Sequence, residues 1–304
     1  LNEASKDSRA RTLTEIQNPK FQNIDRVPVQ ELVEMMNQAD AQVAIAVQAS
    51  TKQISEAISA ISASFQAGGR VIYVGAGTSG RIATLDASEI LPTFGIANRV
   101  IALMAGGPSA LVHPREGAED NVEAAQTDLQ EVGIQAADVV IGVASSGSTP
   151  FVQGAISYAK TQGALTVSIS CVEGSEISQL ADHSIEIAVG PELIAGSSRL
   201  KAGTAQKMVL NMISTITMIQ AGKTYRNLMV DMVASNTKLR ARAIWMVQEI
   251  TGADQEVARA ALEEHSWMTK NAVVGIYLGV GKQQAAEKLL AADGILARAL
   301  GEIS

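Results

Sequence analysis

One cysteine and three histidines among 304 residues leave the chain little with which to build a disulfide framework or a metal cluster. Cys171 has no intrachain partner, so no bridge forms within one chain, and a lone thiol fits a reducing compartment. His113, His183 and His265 are far apart and lack the two-histidine helical spacing of zinc sites, so no metal is expected. Long apolar runs are missing too: nothing approaches the roughly eighteen consecutive residues that a membrane helix needs. No signal-peptide pattern is visible, and a cytoplasmic location is expected. The net charge of −7 comes without any basic block, which argues against nucleic acid as a partner. An anionic ligand would therefore be held by local donors and not by the overall field. Internal repeats and low-complexity tracts are also absent. What the chain does have is a 47% hydrophobic content, enough for one large domain and a smaller piece.

Five short β-rich segments alternate with helical patterns: Val71 to Val74, Val100 to Met104, Asp138 to Ala144, Leu165 to Ser170 and Ser184 to Val189. Helices are predicted over Ser79 to Ile90, Ala118 to Glu131, Thr149 to Thr161 and Ser175 to Leu180. This alternation predicts an α/β three-layer sandwich around a five-stranded parallel sheet. Val29 to Ala67 reads as mostly helix ahead of the sheet; Ser198 to Ala221 and Asn227 to Glu249 read as two long helices after it. Met208, Met212, Ile216 and Ile219 recur every three or four residues, the spacing of a core or dimer stripe. Residues 251–304 change character into short helices broken near Gly279 to Gly281 and Asp293-Gly294. The expected division is thus residues 1–250, holding the sheet, and a small helical domain over 251–304, with Thr251 or Asp254 capping its first helix.

The stretch VIYVGAGTSGRIATLDASE, residues 71–89, runs from apolar strand through a glycine-hydroxyl turn into a helix. Gly75, Gly77 and Gly80 satisfy the spacing of the dinucleotide fingerprint. That fingerprint expects an acid at the end of the second strand, where this chain has Ala105, Gly106 and Gly107. Thr78 and Ser79 instead add hydroxyls suited to a terminal phosphate, and the helix start adds free N–H groups. A sugar phosphate is favoured over a dinucleotide.

In an open α/β sheet the ligand sits outside the carboxyl ends of the strands. The third strand ends there in SSGSTP, where Ser145, Ser146, Ser148 and Thr149 place four hydroxyls ahead of Pro150. A plain helix cap would use one hydroxyl, so four point to ligand binding. AGSSRLKAGTAQK, residues 195–207, sets Ser197, Ser198, Arg199, Lys201 and Lys207 at the opening of a long helix, able to complete an anion site or simply to cap it. Two acids follow the loops, Glu89 and Glu119. Each reads either as a surface or helix-start charge or as half of a carboxylate pair dividing acid and base work.

The glycine-hydroxyl turn, the serine-rich third loop and the five-strand αβ layout resemble the sugar isomerase (SIS) domain, a phosphosugar-binding fold, and the resemblance implies a flavodoxin-like strand order. More narrowly, GAGTSGR with DASE, GGPSALVHPREGAEDN, GVASSGSTPFV, AGSSRLKAGTAQKMVLNMISTITMI and NLMVDMVASNTKL resemble the N-acetylmuramic acid 6-phosphate etherase family over nearly the whole chain. The resemblance implies a lyase that cleaves the D-lactyl ether of N-acetylmuramic acid 6-phosphate during peptidoglycan sugar recycling, with no metal or redox cofactor. It implies phosphate ligands at Ser79, Ser145, Ser146, Ser148 and Thr149, with the Ser197-Ser198 turn closing the pocket, in a substrate-binding site that also takes in Thr78, Gly80 and Lys207. Glu89 is implied as the acid that protonates departing lactate, and Glu119 as the base at C2. An acid that keeps its proton at neutral pH should be buried or beside another carboxylate, so Glu89 is expected in such a place. A homodimer with shared active sites is implied as well. Two rival functions share the loops: a sugar-phosphate sensor like the glucokinase regulatory protein, and an aldose-ketose phosphosugar isomerase.

Overall fold

The computed structural model describes residues 16–303. Residues 1–15 of the expected first domain, including Thr14 and Glu15 of the TEIQNPKFQNID segment, lie outside the described residues. In chain order the elements are α1 (Val29–Ala49), α2 (Thr51–Gln66), β1 (Val71–Gly75), α3 (Gly77–Ser88), α4 (Ile90–Phe94), β2 (Val100–Met104), α5 (Val122–Glu131), β3 (Val139–Val143), α6 (Pro150–Thr161), β4 (Leu165–Ser170), α7 (Glu176–Leu180) and β5 (His183–Glu186). Helices α8 (Lys201–Gln220), α9 (Thr237–Thr251), α10 (Gln255–Glu264), α11 (Thr269–Leu278), α12 (Lys282–Ala291) and α13 (Leu296–Ala299) follow.

All five strands are parallel, in the order β2-β1-β3-β4-β5. β1 and β3 are buried along their whole length, which is why they read as unbroken apolar runs. One face of the sheet, with Ile72, Val74 and Val140, packs on Leu129 of α5, Phe151, Ala155 and Ile156 of α6 and Ile177 of α7. On the other, Tyr73 donates its phenol O–H to Asp86 of α3 at 3.1 Å. Burial and the adjoining carboxylate push that phenol well above its ordinary pKa.

The strand starts are tied by a buried ion pair. Arg70, just before β1, meets Asp138, just before β3, at 2.6 Å, while the backbone N–H groups of Arg70 and Gln135 also donate to the Asp138 carboxylate at 2.9 Å. Burial works to raise the Asp138 pKa, but these hydrogen bonds and the guanidinium charge outweigh it and hold the carboxyl below its ordinary value.

Several expected boundaries shift for physical reasons. The helix expected to run through Ile90 stops at Ser88, because Pro92 has no N–H for the Ser88 carbonyl and its ring collides with it. The expected helix over Asn227 to Glu249 starts only at Thr237, where Asn236 caps the Leu239 N–H at 2.9 Å; the residues before it form turns that bury Val230 and Met232. Val29 to Ala67 is two helices with Ser50 between, its hydroxyl donating to the Glu186 carbonyl.

The chain forms two compact units, one running through Ala87 and resuming over Arg99–Ile213, the other made of Ser88–Asn98 and Ser214 onward. The helical unit thus reaches back beyond the expected boundary at 250, because Ala243, Met246 and Val247 of α9 share one apolar core with Leu262, Val273 and Leu289. Within it, Lys270 is buried and donates to Asp231 and to the carbonyls of Gly222 and Gly294, stitching three turns together. Asp254 is the residue that caps α10. Among the described residues no helix is long and apolar enough to cross a membrane.

The lowered pKa of Asp138 sets an acid-stability expectation. A carboxyl depressed by folding contributes stability fully above its unfolded value of about 3.9 and loses it as pH falls through the folded value. Asp138→Asn should therefore lower unfolding free energy by about 2 kcal/mol at neutral pH, and its deficit relative to wild type should shrink below about pH 4. Urea unfolding across that range checks it; a deficit constant with pH would mean the charge is irrelevant.

Candidate functional site

The strand order reverses between β1 and β3, and the crevice at such a switch point is where open α/β sheets bind ligands. Loops one and three leave the sheet there. In the first, Gly75 and Gly80 touch backbone to backbone: a Cβ on Gly75 would lie 2.8 Å from the Gly80 nitrogen, and one on Gly80 would lie 2.7 Å from the Gly75 oxygen. This contact draws the start of α3 against the end of β1. The first turn of α3 leaves the N–H groups of Gly77, Thr78 and Ser79 without intrahelical acceptors. Ser79 is buried and Thr78 half-buried.

In the third loop Gly147 adopts φ +69°, and a Cβ there would lie 2.3 Å from the Ser175 Cβ. Around this turn the Ser148 hydroxyl donates to Ser146 at 3.0 Å. Thr149 takes the N-cap position of α6, yet its side chain makes no capping bond, so the ordinary cap does not account for the hydroxyls gathered here.

The two loops are joined by a residue that the sequence reading passed over. Gln206 of α8 is fully buried; its Oε1 accepts from the Ser79 hydroxyl at 3.0 Å and its Nε2 donates to Ser145 Oγ at 3.0 Å. A glutamine inside the apolar stripe Ala202, Ala205, Gln206, Val209 and Ile213 was the available signal, since buried amides are hydrogen-bonded. The stripe expected from Met208, Met212, Ile216 and Ile219 is not the buried one: Ile216 and Ile219 are exposed and the two methionines only partly covered.

The opening of α8 also differs from expectation. The buried carboxylate of Glu192 accepts from the Lys201 and Ala202 N–H groups at 3.0 and 2.9 Å, so this helix start is already occupied by an anion of the protein's own. Ser197 and Ser198 precede it in a half-buried turn. Lys207 meets the buried Asp86 carboxylate at 3.1 Å. Cys171 sits beneath, its thiol pushed up to about 12 by burial and the nearby Glu192 charge, which makes it inert filler.

Glu119 lies in a single 3-10 turn, Ala118–Asp120, and is exposed. It lines a cavity of about 210 Å³ together with Ala76 and Gly77 of the first loop, Arg81, Met104, Ala105 and Arg115. Arg81 shapes this cavity by donating to the Leu111 and Ala110 carbonyls at 3.0 and 2.9 Å, which pins the loop after β2 to α3. Within its unit, then, the structure brings together Ser79, Ser145 and their neighbours on one side and Glu119 with the first loop on the other. Glu89 belongs to the helical unit. It stands between α3 and α4 and is exposed, not buried as expected, because the break imposed by Pro92 leaves it outside either helix.

The glucokinase regulatory protein N-terminal SIS domain family matches residues 53–160, and the SIS domain family matches residues 121–216. Among solved structures, a putative phosphosugar isomerase involved in capsule formation from Bacteroides fragilis superposes with a TM-score of 0.50 at 20% identity, covering 64% of this chain and 91% of that one. That likeness concerns the fold.

Full-length relatives are much closer in sequence. The chain is 48% identical to the N-acetylmuramic acid 6-phosphate etherase of Geobacillus sp., over 95% of this chain and 99% of that protein. Identity to the enzyme of the same name from Streptomyces avermitilis is 51%, over 94% and 93% of the two chains.

The loop geometry sets a graded expectation for glycine replacement. Gly77 has φ +53° but open space, so Gly77→Ala should cost about 1 kcal/mol. Gly147 has both the unfavourable φ and the collision with Ser175, and Gly147→Ala should cost about 3 kcal/mol. Thermal unfolding of the two variants side by side tests the order; equal losses would mean that the Ser175 contact relaxes freely.

The N-acetylmuramic acid 6-phosphate etherase of Vibrio cholerae, numbered 2 there, is 46% identical over 99% of this chain and 98% of its own, and with such matches running end to end the chain belongs to the N-acetylmuramic acid 6-phosphate etherase family.

Proposed function

We propose that this chain cleaves the D-lactyl ether of N-acetylmuramic acid 6-phosphate, releasing D-lactate and N-acetylglucosamine 6-phosphate, as a carbon-oxygen lyase of peptidoglycan amino-sugar recycling. The observation that carries the reading is the pairing of a hydroxyl-rich crevice at the β1/β3 switch point with a carboxylate, Glu119, that shares a cavity with the first loop.

The 6-phosphoryl group is held by Ser79 and the N–H groups at the start of α3, and by Ser145, Ser146, Ser148 and Thr149, with Ser197 and Ser198 beside them. Lys207, one of whose three N–H bonds is directed at Asp86, contributes positive charge. With the sugar open as its aldehyde, Glu119 removes the proton at C2, which the neighbouring carbonyl acidifies. The electron pair forms the C2–C3 double bond as the C3–O bond breaks, and Glu89 gives its proton to the leaving lactate oxygen. Water then adds at C3, Glu89 taking a proton from it and C2 regaining one. Every step is a proton transfer of the kind a positioned carboxylate serves.

The enzyme acts in the cytoplasm as a homodimer with shared active sites, and the exposed Ile216 and Ile219 on α8 suit a subunit contact. A non-catalytic sensor is the second reading, favoured by the match of residues 53–160 to the glucokinase regulatory protein SIS family. Incubation with N-acetylmuramic acid 6-phosphate and enzymatic assay of D-lactate separates the two. Release of lactate is expected, and Glu119→Gln and Glu89→Gln should each lower turnover by about 10²-fold or more while retaining phosphosugar binding. Binding without lactate would favour the sensor, and an active Glu89→Gln variant would remove Glu89 from the scheme.

A further inference from the structure

Gln206 is fully buried, and its amide spans the two serines that open the phosphate loops. An amide has one accepting and one donating end, so it cannot treat the two hydroxyls alike. Ser79 donates its only hydroxyl proton to Gln206 Oε1. Ser145 Oγ accepts a hydrogen bond from Gln206 Nε2, which occupies a lone pair and leaves its own O–H free to donate.

We propose that Gln206 is a positioning residue that polarises the phosphate loops, making Ser145 the hydroxyl donor to the phosphoryl oxygen and leaving Ser79 to contribute through its backbone N–H. The assignment rests on the phosphate-site reading given above and deepens it. Three features support it. Both serines are nearly buried, so neither hydroxyl can exchange partners freely with water. Gln206 is held in place by the Glu192 clamp on the first turn of the same helix. The Ser145 carbonyl is also engaged, accepting from the Cys171 N–H at 3.0 Å, so the residue is fixed at its backbone while its O–H stays available. The arrangement serves an acceptor-only ligand. A phosphate dianion offers lone pairs and no protons, so a hydroxyl whose hydrogen is already committed is of little use to it.

The test compares binding of glucosamine 6-phosphate by isothermal titration calorimetry in wild type, Ser79→Ala, Ser145→Ala and Gln206→Glu, with unphosphorylated glucosamine as control. Ser145→Ala should weaken binding by about 10- to 100-fold, the value of a hydrogen bond to a charged group, and Ser79→Ala by only a few-fold. Gln206→Glu adds a pH readout. Its ionised carboxylate accepts from both serines and captures the Ser145 proton, so affinity relative to wild type should collapse at about pH 8. Protonated, the carboxyl again has one donor and one acceptor and no charge to repel the phosphate, and the ratio to wild type should recover toward pH 5; the unequal losses of the two serine variants are the readout that a merely structural glutamine would not produce. Taking the ratio at each pH cancels the titration of the phosphate itself.

Failure of wild type to bind the 6-phosphate more tightly than glucosamine would sink the phosphate-site reading. Tight wild-type binding with equal losses in the two serine variants, or a Gln206→Glu deficit independent of pH, would overturn the role of Gln206 alone. Should Gln206→Glu not fold, the serine comparison decides by itself.

Discussion

The architecture of the candidate site depends on a contact that touches no ligand, the carboxylate of Glu192 closing on the first two N–H groups of α8. A buried carboxylate is costly unless its lone pairs are filled, and here both oxygens are engaged by a helix start whose dipole favours negative charge. The clamp fixes where α8 begins, and a helix fixed at its first turn has every later side chain placed. Gln206, one turn and a half along, is thereby held where its amide meets Ser79 and Ser145. Gly203, on the same helix, lies against Ile82 and Thr78 of α3, so α3 and α8 are in register at the loop end. The two loops leaving β1 and β3 are bound to one another through a helix that follows them by more than fifty residues.

This dependence explains what could and could not be read from the sequence. The strands were legible because each is a short apolar run between turn residues, and their parallel pairing followed from the βα alternation, whereas their order came only with the resemblance to the SIS domain. Two of them, β2 and β4, fall at their expected limits. Hydroxyl-rich loops were legible as local excess: four hydroxyls where one cap suffices. Gln206 was not legible in the same way, since its role is set by partners 127 and 61 residues away. The breaks at Glu89 and before Thr237 were missed because hydrophobic periodicity was given more weight than one proline and one asparagine. Pro92 breaks the helical pattern at Glu89, and Asn236 offers a cap that the preceding turns can use. Likewise the Met208, Met212, Ile216 and Ile219 spacing identified a helix but not its inner face, which belongs to smaller residues and the buried amide.

Charge is handled locally throughout. With a net charge of −7, the molecule as a whole repels an anion, so any phosphate must be drawn by short-range donors. Beside the first and third loops the structure gives neutral ones, backbone N–H groups and hydroxyls. The cations near the loops are largely engaged, Lys207 by Asp86 and Arg81 by two carbonyls. Arg81 in particular acts as a strut, converting the loop after β2 into a wall of the cavity that Glu119 lines. A site built from dipoles favours a ligand of defined geometry over any passing anion, because directional donors lose their value when misaligned.

The division between rigid and less rigid parts follows from the chemistry proposed. Phosphate and scissile ether lie at opposite ends of the sugar, and binding energy at the phosphate is useful only if it orients the C2–C3 bond. The first and third loops are correspondingly the most constrained part of the candidate site, held by backbone contact at Gly75 and Gly80, by the close packing of Gly147 on Ser175 and by the Gln206 bridge. The acids stand on less regular backbone, Glu119 in a single 3-10 turn and Glu89 in the break before α4. Both candidate acids are exposed, so in the proposed chemistry the burial that would hold a proton on Glu89 at neutral pH has to come from the sugar that covers it.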